Sequence, residues 1–340
     1  MRNLAVVGML LLGLGAQPVF ANQQVVEPTH QLSVSKVSPR QLIEKLQNAF
    51  HRLDYELSYI RVRQGSIEPI RLFHGVVGKH EVVHRIFLNG PVREAVRRDQ
   101  TVAYYEFGKS PFAIHAKRLP GMLATLADIP LDVLSANYDL LVSGRGRVAG
   151  RPAQIMRIIP KHESLYGLYV WQDISTGLPL RVDIVDRQGN LVEQLMVIGL
   201  SEFKKPTLWM NKLAALKLPV VIEPPKSQQM SADWQVRWKP GGMKVVAENQ
   251  HKLPITDQSV DYLKLSDGLF DVSIYASSSK ASQSLQGELV RQGAISLHSI
   301  IRHGVVITVV GEVPPQTATL IAESVKLVPV ENKPEETIHD

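Results

Sequence analysis

A run of short apolar strands between Gly144 and Ile198 restricts the fold more than any other part of the chain. Four strands rich in Val, Ile and Leu are separated by turn-forming residues at Gly150, at 175–179 and at 188–190. This spacing predicts an antiparallel meander. Several strands carry apolar residues on both faces, so one face must be covered and the other must line something. No catalytic sequence signature lies on these strands.

The N-terminus indicates export. Arg2 precedes an apolar stretch over residues 4–14, and Ala21 ends a segment of the type that a signal peptidase cleaves. The apolar stretch is shorter than the ~20 residues of a membrane-spanning helix. We therefore expect a signal peptide over residues 1–21.

The sequence contains no cysteine. A lipoprotein needs Cys at its first mature position, so this class is excluded, as are disulfides and thiolate metal sites. The mature chain must rely on ordinary hydrophobic cores. We expect a periplasmic protein that carries no cofactor and no metal.

The basic residues are clustered. The net charge of +6 falls to +5 when Arg2 is removed with the signal peptide. Residues 61–98 hold eight Lys or Arg against three acids, and residues 145–161 hold five and none. In an exported protein this pattern favours acidic proteins or anionic lipid head groups over nucleic acid. A solvated basic face is the alternative interpretation.

The first half of the chain combines a helix with strands. Ser38-Pro39 provides a hydroxyl cap and a proline at the first helical position, and the following apolar residues share one helical face. Strands are predicted at 55–62, 70–76, 82–88 and 101–106, and short helices and loops at 119–138.

The second half begins after a Pro-rich stretch. Residues 206–230 contain four prolines and predict a linker. Strands are predicted at 261–265, 270–275, 295–302 and 305–311, with a hairpin turn at His303-Gly304, a helix at 281–292 and a closing helix at 314–325. The acidic tail from residue 331 predicts disorder.

Two motifs resemble functional signatures without their structural context. His80-Glu81-Val82-Val83-His84 matches HExxH, which binds zinc only on a helix. The flanking turns predict a strand instead, on which the two histidines would be roughly 13 Å apart and facing solvent. Gly144-Arg-Gly-Arg-Val-Ala matches GxGxxA, but a strand follows it rather than a helix, and a hairpin turn explains its glycines better.

Several motifs, in this order, resemble the RseB/MucB family of periplasmic regulators of an envelope-stress sigma factor. They include G-R-V-A-G-R-P-A-Q-I-M-R-I-I-P at 146–160, Y-G-L-Y at 166–169 and D-I-S-T-G-L-P-L at 173–180. In the second half they are W-K-P-G-G-M at 238–243, Y-L-K-L-S-D-G-L-F at 262–270 with V-S-I-Y at 272–275, and H-G-V-V-I-T-V-V-G-E-V-P at 303–314. Met243 departs from the pattern, where an aromatic residue is expected.

The resemblance implies an α+β fold: an N-terminal half-open antiparallel β-barrel covered by helices, like LolA and LolB, and a smaller C-terminal α/β domain. The expected divisions are the signal peptide 1–21, the LolA/LolB-like domain 22–205, the Pro-rich linker 206–230, the small C-terminal domain 231–329 and the disordered tail 330–340.

The resemblance also implies a function without catalysis. Members of this family bind the periplasmic segment of a transmembrane anti-sigma factor of the RseA or MucA type and shield it from a site-1 protease. Lipopolysaccharide or lipoprotein acyl chains are the expected releasing ligands, through linkage between the two binding events. A lipid or lipoprotein carrier is the alternative, and a homodimer stays open.

Candidate site residues divide into two groups. A lipid- or anion-binding surface is expected from basic residues of the second cluster and from large apolar residues of the strands, although each apolar residue also fits an ordinary core. These are Arg145, Arg147, Arg151, Arg157, Phe73, Phe87, Tyr105, Met156 and Trp171. Partner binding is expected of aromatic residues in the second half, which often anchor interfaces: Trp234, Trp238 and Tyr275.

Charge reversal at Arg145 and Arg147 tests the anionic surface. We expect Arg145→Glu with Arg147→Glu to weaken lipopolysaccharide binding at low salt, where exposed charges are least screened. Lipopolysaccharide binding that is unchanged by the double substitution contradicts the hypothesis.

Overall fold

The computed structural model describes residues 37–223, 234–252, 259–278 and 289–327. The predicted signal peptide, the predicted tail and the end of the predicted linker lie outside these residues. The helices are α1 (Pro39–Arg52), α2 (Met122–Asp128), α3 (Leu131–Asn137), α4 (Leu208–Ala214) and α5 (Pro315–Ser324). No helix in the described ranges is long and apolar enough to cross a membrane.

The larger of the two main sheets in the described ranges has eleven antiparallel strands. The first six strands are β1 (Asp54–Arg63), β2 (Ser66–Val77), β3 (His80–Phe87), β4 (Arg93–Arg98), β5 (Thr101–Glu106) and β6 (Phe112–His115). The other five are β7 (Tyr138–Val148), β8 (Arg151–Pro160), β9 (Gly167–Asp173), β10 (Pro179–Val185) and β11 (Leu191–Phe203). The strand order is β6-β5-β4-β3-β2-β1-β11-β10-β9-β8-β7, and the two halves of this sheet join where β1 pairs with β11.

The predicted meander is present, but it has five strands rather than four. Its first strand begins at Tyr138, in a stretch that was predicted to be helix and loop. Gly144 lies inside this strand, at φ 138° beside a register shift, and the turn instead uses Ala149 and Gly150, both at positive φ. The hairpin-turn interpretation of the first two glycines was therefore wrong. Gly144 provides a bulge, which only glycine adopts without strain.

Helices α1 to α3 cover one face of this sheet and produce the half-open barrel. The Ser38 hydroxyl accepts a hydrogen bond from the Gln41 amide and the Gln41 side chain accepts one from the Ser38 amide, so α1 begins with a capping box. Helix α1 buries its Leu42, Ile43 and Leu46 side chains in the core between the helix and the sheet. Strand β7 also contacts β11, four places away in strand order, so the sheet curls around these helices.

Helix α4 packs on the opposite face of the sheet, within the segment predicted to be a linker. Met210 and Leu213 are buried against Val82 and Val96 of the sheet. A Cβ atom at Gly75 would lie 2.8 Å from the Met210 sulfur, so glycine permits this close approach. The proline content of 206–230 concealed this short helix. The domain boundaries themselves stay a prediction.

The remaining strands of the described ranges are β12 (Trp234–Val236), β13 (Lys244–Lys252), β14 (Ser259–Ser266), β15 (Asp271–Ser278), β16 (Leu289–Gln292), β17 (Ile295–Arg302), β18 (Val305–Glu312) and β19 (Val325–Leu327). Six of them form the second sheet, which is antiparallel, in the order β13-β14-β15-β18-β17-β16. Helix α5 packs on β17 and β18. The hairpin at His303-Gly304 is confirmed, with both residues at positive φ. The predicted helix at 281–292 is wrong at its end, because residues 289–292 form a strand, and its earlier part lies outside the described residues.

In the described ranges, the larger of the two hydrophobic clusters runs through both sheets. At its centre the Tyr138 hydroxyl donates a hydrogen bond of 2.6 Å to the buried Asp267 carboxylate. The same carboxylate accepts from the amides of Leu269 and Phe270, each at 2.8 Å. The phenol ring of Tyr166 meets Phe270 edge to face at 6.0 Å. The second sheet is thus held to the first by buried contacts.

Removal of the Tyr138 hydroxyl tests this junction. We expect Tyr138→Phe to lower the free energy of unfolding by about 1–3 kcal/mol, because the buried Asp267 carboxylate loses a donor that water cannot replace. The measurement is urea unfolding, with Tyr104→Phe at a half-buried site as the control. A loss no larger than that of the control contradicts a stabilising role for this hydrogen bond.

Candidate functional site

A small cavity lies between α1, α2 and the covered face of the first sheet. Its volume is about 90 Å³, well below the roughly 300–1,000 Å³ typical of pockets that enclose drug-sized ligands. Most of its wall is apolar, from Phe50, Tyr59, Ile70, Leu72, Val83, Met122, Leu123, Ile184 and Leu195 among others. Polar and charged residues form the rest of the wall: His51, Arg61, Arg85, Arg97, Arg118, Asp128, Glu193 and Glu312.

Arginines surround Phe87 at one side of the cavity. The guanidinium carbon of Arg93 lies 3.5 Å from the ring centroid of Phe87, and those of Arg85 and Arg61 lie at 5.3 and 5.8 Å. Glu68 forms ion pairs with Arg61, Arg63 and Arg93. One carboxylate shared by three arginines leaves an excess of positive charge beside an aromatic ring. An amphiphilic anion fits such a surface.

Arg85 connects this basic group to the loop before α2. Its Nη1 donates a hydrogen bond of 2.5 Å to the carbonyl of Pro120, and burial lowers the pKa of its guanidinium. Gly121, the next residue, has φ 128° and begins α2 without a side-chain cap. The loop at this wall is therefore attached to the sheet by an arginine, and any rearrangement of α2 must break or move that bond.

His51 joins α1, α2 and the sheet. Its Nδ1 lies 2.9 Å from Glu81 Oε1 on β3, and its Nε2 lies 2.9 Å from Asp128 Oδ1 at the end of α2. These two contacts, Asp128 first, raise the pKa of His51 to about 9. Glu81 also pairs with His74 and Arg97. Burial acts to raise the pKa of Glu81, but its hydrogen bonds to His51 and His74 and its ion pair with Arg97 together outweigh burial and lower the pKa. We call His51, Glu81 and Asp128 the helix clamp.

Glu312 brings the second sheet into the wall of the cavity. It ends β18, whereas the neighbouring wall residues Glu193 and Leu195 belong to β11 of the first sheet. Burial, followed by the negative charges of Glu193 and Asp271, raises the pKa of Glu312 to about 7. Glu193 in turn accepts a hydrogen bond of 3.3 Å from the Ala294 amide of the second sheet. A molecule in the cavity would therefore touch the junction between the sheets.

The four predicted anion-binding arginines lie elsewhere, on β7 and β8. Arg145 and Arg147 are exposed. Arg151 pairs with the buried Asp173 at 2.7 Å, and Arg157 lies over the ring of Tyr169 at 5.0 Å. The four arginines do not line the cavity. Their binding role stays a prediction for the outer surface of these strands.

The predicted apolar residues are not brought together. Phe87 alone of the five lines the cavity, and Met156 is fully buried in the core. Trp171 carries the Arg181 guanidinium over its ring at 4.3 Å. Phe73 lies on the α4 side, 6.4 Å from the Trp209 ring, and Tyr105 lines a second groove there.

The HExxH residues form a strand as predicted, but the predicted exposure of His84 was wrong. His84 is buried under α4, where it accepts a hydrogen bond of 3.3 Å from the Trp209 indole and lies 2.8 Å from Glu94. His80 instead pairs with Asp99. In the described ranges no group of His, Asp and Glu is arranged to hold a metal ion.

The predicted partner-binding aromatics belong mainly to the core. Trp234 is buried, Trp238 packs against the main cluster, and the Tyr275 ring lies 5.2 Å from that of Tyr262. Their interface role stays a prediction.

The arginines of the cavity were not among the predicted site residues, although the sequence shows the cluster of basic residues at 61–98. Alternation along β1 and β3 was the available signal, since it places Arg61 with Tyr59 and Arg85 with Phe87 on the covered face.

Fold and site together define a class: two-sheet α+β proteins in which a curled antiparallel sheet, covered by helices, encloses a small cavity with a basic side. Sequence comparison narrows this class to a family. Residues 38–221 match the MucB/RseB N-terminal domain and residues 228–326 match the MucB/RseB C-terminal domain. The chain belongs to the MucB/RseB family.

Relatives and solved structures agree with this assignment. The sigma-E factor regulatory protein RseB of Salmonella typhimurium is 32% identical over 286 residues, covering 84% of this chain and 89% of the relative. The sigma factor AlgU regulatory protein MucB of Pseudomonas aeruginosa is 26% identical, again over 84% and 89%. MucB solved in complex with MucA(peri) has a TM-score of 0.65 at 23% identity, over 86% of this chain and all of that one, and supports the fold.

The helix clamp makes a specific contribution to pH-dependent stability. Because the pKa of His51 is raised from 6.5 to about 9, its stabilisation is complete below about pH 6.5 and is lost as pH rises through 9. We expect His51→Gln to cost about 1–2 kcal/mol of unfolding free energy at pH 6, after allowance for partial solvent screening, and little at pH 10.

Urea unfolding at the two pH values measures this difference, with His80→Gln on the same sheet as control. An equal loss at pH 6 and pH 10 for His51→Gln contradicts a clamp that depends on the charged imidazole.

Proposed function

We propose that this chain is a periplasmic regulator that binds the periplasmic segment of a transmembrane anti-sigma factor of the MucA or RseA type and shields it from site-1 proteolysis. The observation that carries the proposal is membership of the MucB/RseB family over both halves of the chain. Similar proteins are named regulators of sigma factors, and a related fold has been solved with MucA(peri).

The function proposed is binding without catalysis. The HExxH histidines illustrate this, because each is engaged by its own carboxylate, His80 by Asp99 and His84 by Glu94. On a strand, residues four apart are separated by roughly 13 Å, which is too far for both to bind one ion. The expected signal peptide and the absence of cysteine support the periplasm as the compartment.

Release by lipopolysaccharide or lipoprotein acyl chains is the second part of the proposal. The cavity combines apolar walls with arginines beside Phe87, as an acyl chain with a phosphorylated head group requires. Its present volume of about 90 Å³ is too small for a long chain. Entry must therefore displace α2, which the helix clamp and Arg85 hold against the sheet.

Coupling to the partner follows from the position of Glu312. A ligand that displaces α2 also meets a wall contributed by the second sheet, so it changes the junction between the sheets. If the anti-sigma segment binds only the closed arrangement, each ligand lowers the affinity for the other by the same factor. The proposal needs no direct overlap between the two binding sites.

Calorimetry of the mature chain with the anti-sigma segment tests both parts. We expect tight binding that lipopolysaccharide weakens. Ala124→Trp, which places a large ring in the wall of the cavity, should bind the segment normally but lose at least tenfold in sensitivity to lipopolysaccharide. Thr125→Trp on the same helix is the matched control, because position 125 does not line the cavity.

The outcomes separate the two parts of the proposal. Failure of the segment to bind, combined with uptake of acyl chains, identifies a carrier of lipid or lipoprotein instead of a regulator. If the segment binds and lipopolysaccharide does not change its affinity, the regulatory function stands and lipid is not the releasing signal.

A further inference from the structure

An exposed basic and apolar surface follows β11, and its residues do not line the cavity. We call residues 204–222, which include α4, the lysine surface. This segment contains no Asp or Glu, and the nearest acids along the chain are Glu202 and Glu223. Its charge comes from four exposed lysines, Lys204, Lys205, Lys212 and Lys217.

The sheet holds this surface firmly from beneath. Met210 is fully buried and Leu213 nearly so. The Arg98 guanidinium donates hydrogen bonds of 2.9 and 2.8 Å to the carbonyls of Ala214 and Leu216. Further along, the backbone of residues 220–222 pairs with Ala113 at the edge of the sheet. The exposed side chains are thus carried on an ordered backbone.

Large apolar side chains point away from the sheet on the same segment. At 100° per residue, Leu208 and Lys212 lie on the face of α4 opposite Met210. Leu208 is 75% exposed and Trp209 is 42% exposed. Val220 and Ile222 are 84% and 55% exposed. Solvent-exposed apolar residues concentrated in this way mark an interaction surface.

Trp209 has a fixed orientation within this surface. Its indole donates to His84, and its ring lies 5.6 Å from the His84 ring. Beside it opens a groove of about 360 Å³ whose wall is mainly apolar, with Tyr105, Leu213 and Leu216, and whose charged members are Lys212 and Glu94, the latter paired with His84. A ring held at the rim of an apolar groove, with an ammonium group next to it, has the polarity profile of a membrane interface.

We propose that the lysine surface binds the interface of a membrane that contains anionic phospholipid, with Leu208 and Trp209 entering the head-group region and the four lysines contacting phosphates. Composition favours a membrane over an acidic protein, because lysine is depleted at protein interfaces whereas Lys with Trp and Leu is typical of interfacial membrane binding. This inference does not depend on the proposed regulatory function. It adds a contact that would keep the protein at the surface where a membrane-anchored partner resides.

Vesicle co-sedimentation of the mature chain tests the proposal. We expect binding to phosphatidylcholine vesicles that contain phosphatidylglycerol, at low salt, and much weaker binding to phosphatidylcholine alone. Each lysine near an anionic surface contributes roughly fivefold, so Lys204→Gln with Lys205→Gln should lower partitioning at least tenfold. Leu208→Glu should lower it as strongly. Val246→Glu, at an exposed site on β13, should not change it.

A site-specific fluorescence measurement adds a second readout. Because the sequence has no cysteine, Leu208→Cys carries a single environment-sensitive fluorophore, and Val246→Cys serves as its control. We expect a blue shift on vesicle addition for position 208 alone, with circular dichroism confirming that both variants fold. Absent sedimentation with anionic vesicles overturns the proposal. If these substitutions do not change vesicle binding, and Leu208→Glu loses anti-sigma binding, the membrane proposal is wrong and the lysine surface is a protein interface.

Discussion

The buried hydrogen bond between Tyr138 and Asp267 is the interaction on which the arrangement of the two sheets depends. Tyr138 starts β7 directly after α3, and Asp267 shapes the turn between β14 and β15 through the amides of Leu269 and Phe270. Burial, followed by the charge of Asp267, raises the pKa of the tyrosine far above its usual value, so the hydroxyl stays a donor. One bond therefore sets a strand start in the first sheet and a turn in the second.

That junction gives the cavity its importance. The first sheet contributes an apolar and basic wall, and the second sheet contributes Glu312, whose pKa burial raises to about 7. The helix clamp holds α1 and α2 against the sheet over the cavity. The site is thus bounded by three parts of the molecule, and partly buried polar contacts hold these parts together.

Much of the fold was predictable from local pattern. The helix from Pro39, the hairpin at His303-Gly304 and most strands carry their own capping, turn or alternation signals. Strand β4 was missed because Arg-Glu-Ala-Val-Arg-Arg has too few apolar residues, and its pairing with β3 and β5 decides its structure. Helix α4 was concealed by neighbouring prolines. The cavity was beyond sequence reasoning because Arg61, Arg118 and Glu312 meet only through tertiary packing.

The pairing of β1 with β11 has a consequence for how the chain assembles. Asp54 lies opposite Phe203. The edge of β1 that faces β11 therefore has no hydrogen-bonding partner until β11, the last strand of the meander, pairs with it. Contacts between residues so distant in sequence slow folding, and a bare strand edge accepts any strand that reaches it first. A chain that emerges from synthesis N-terminus first exposes this edge throughout that interval. The edge of β1 that pairs with β11 is therefore where mispairing between two newly made chains would begin.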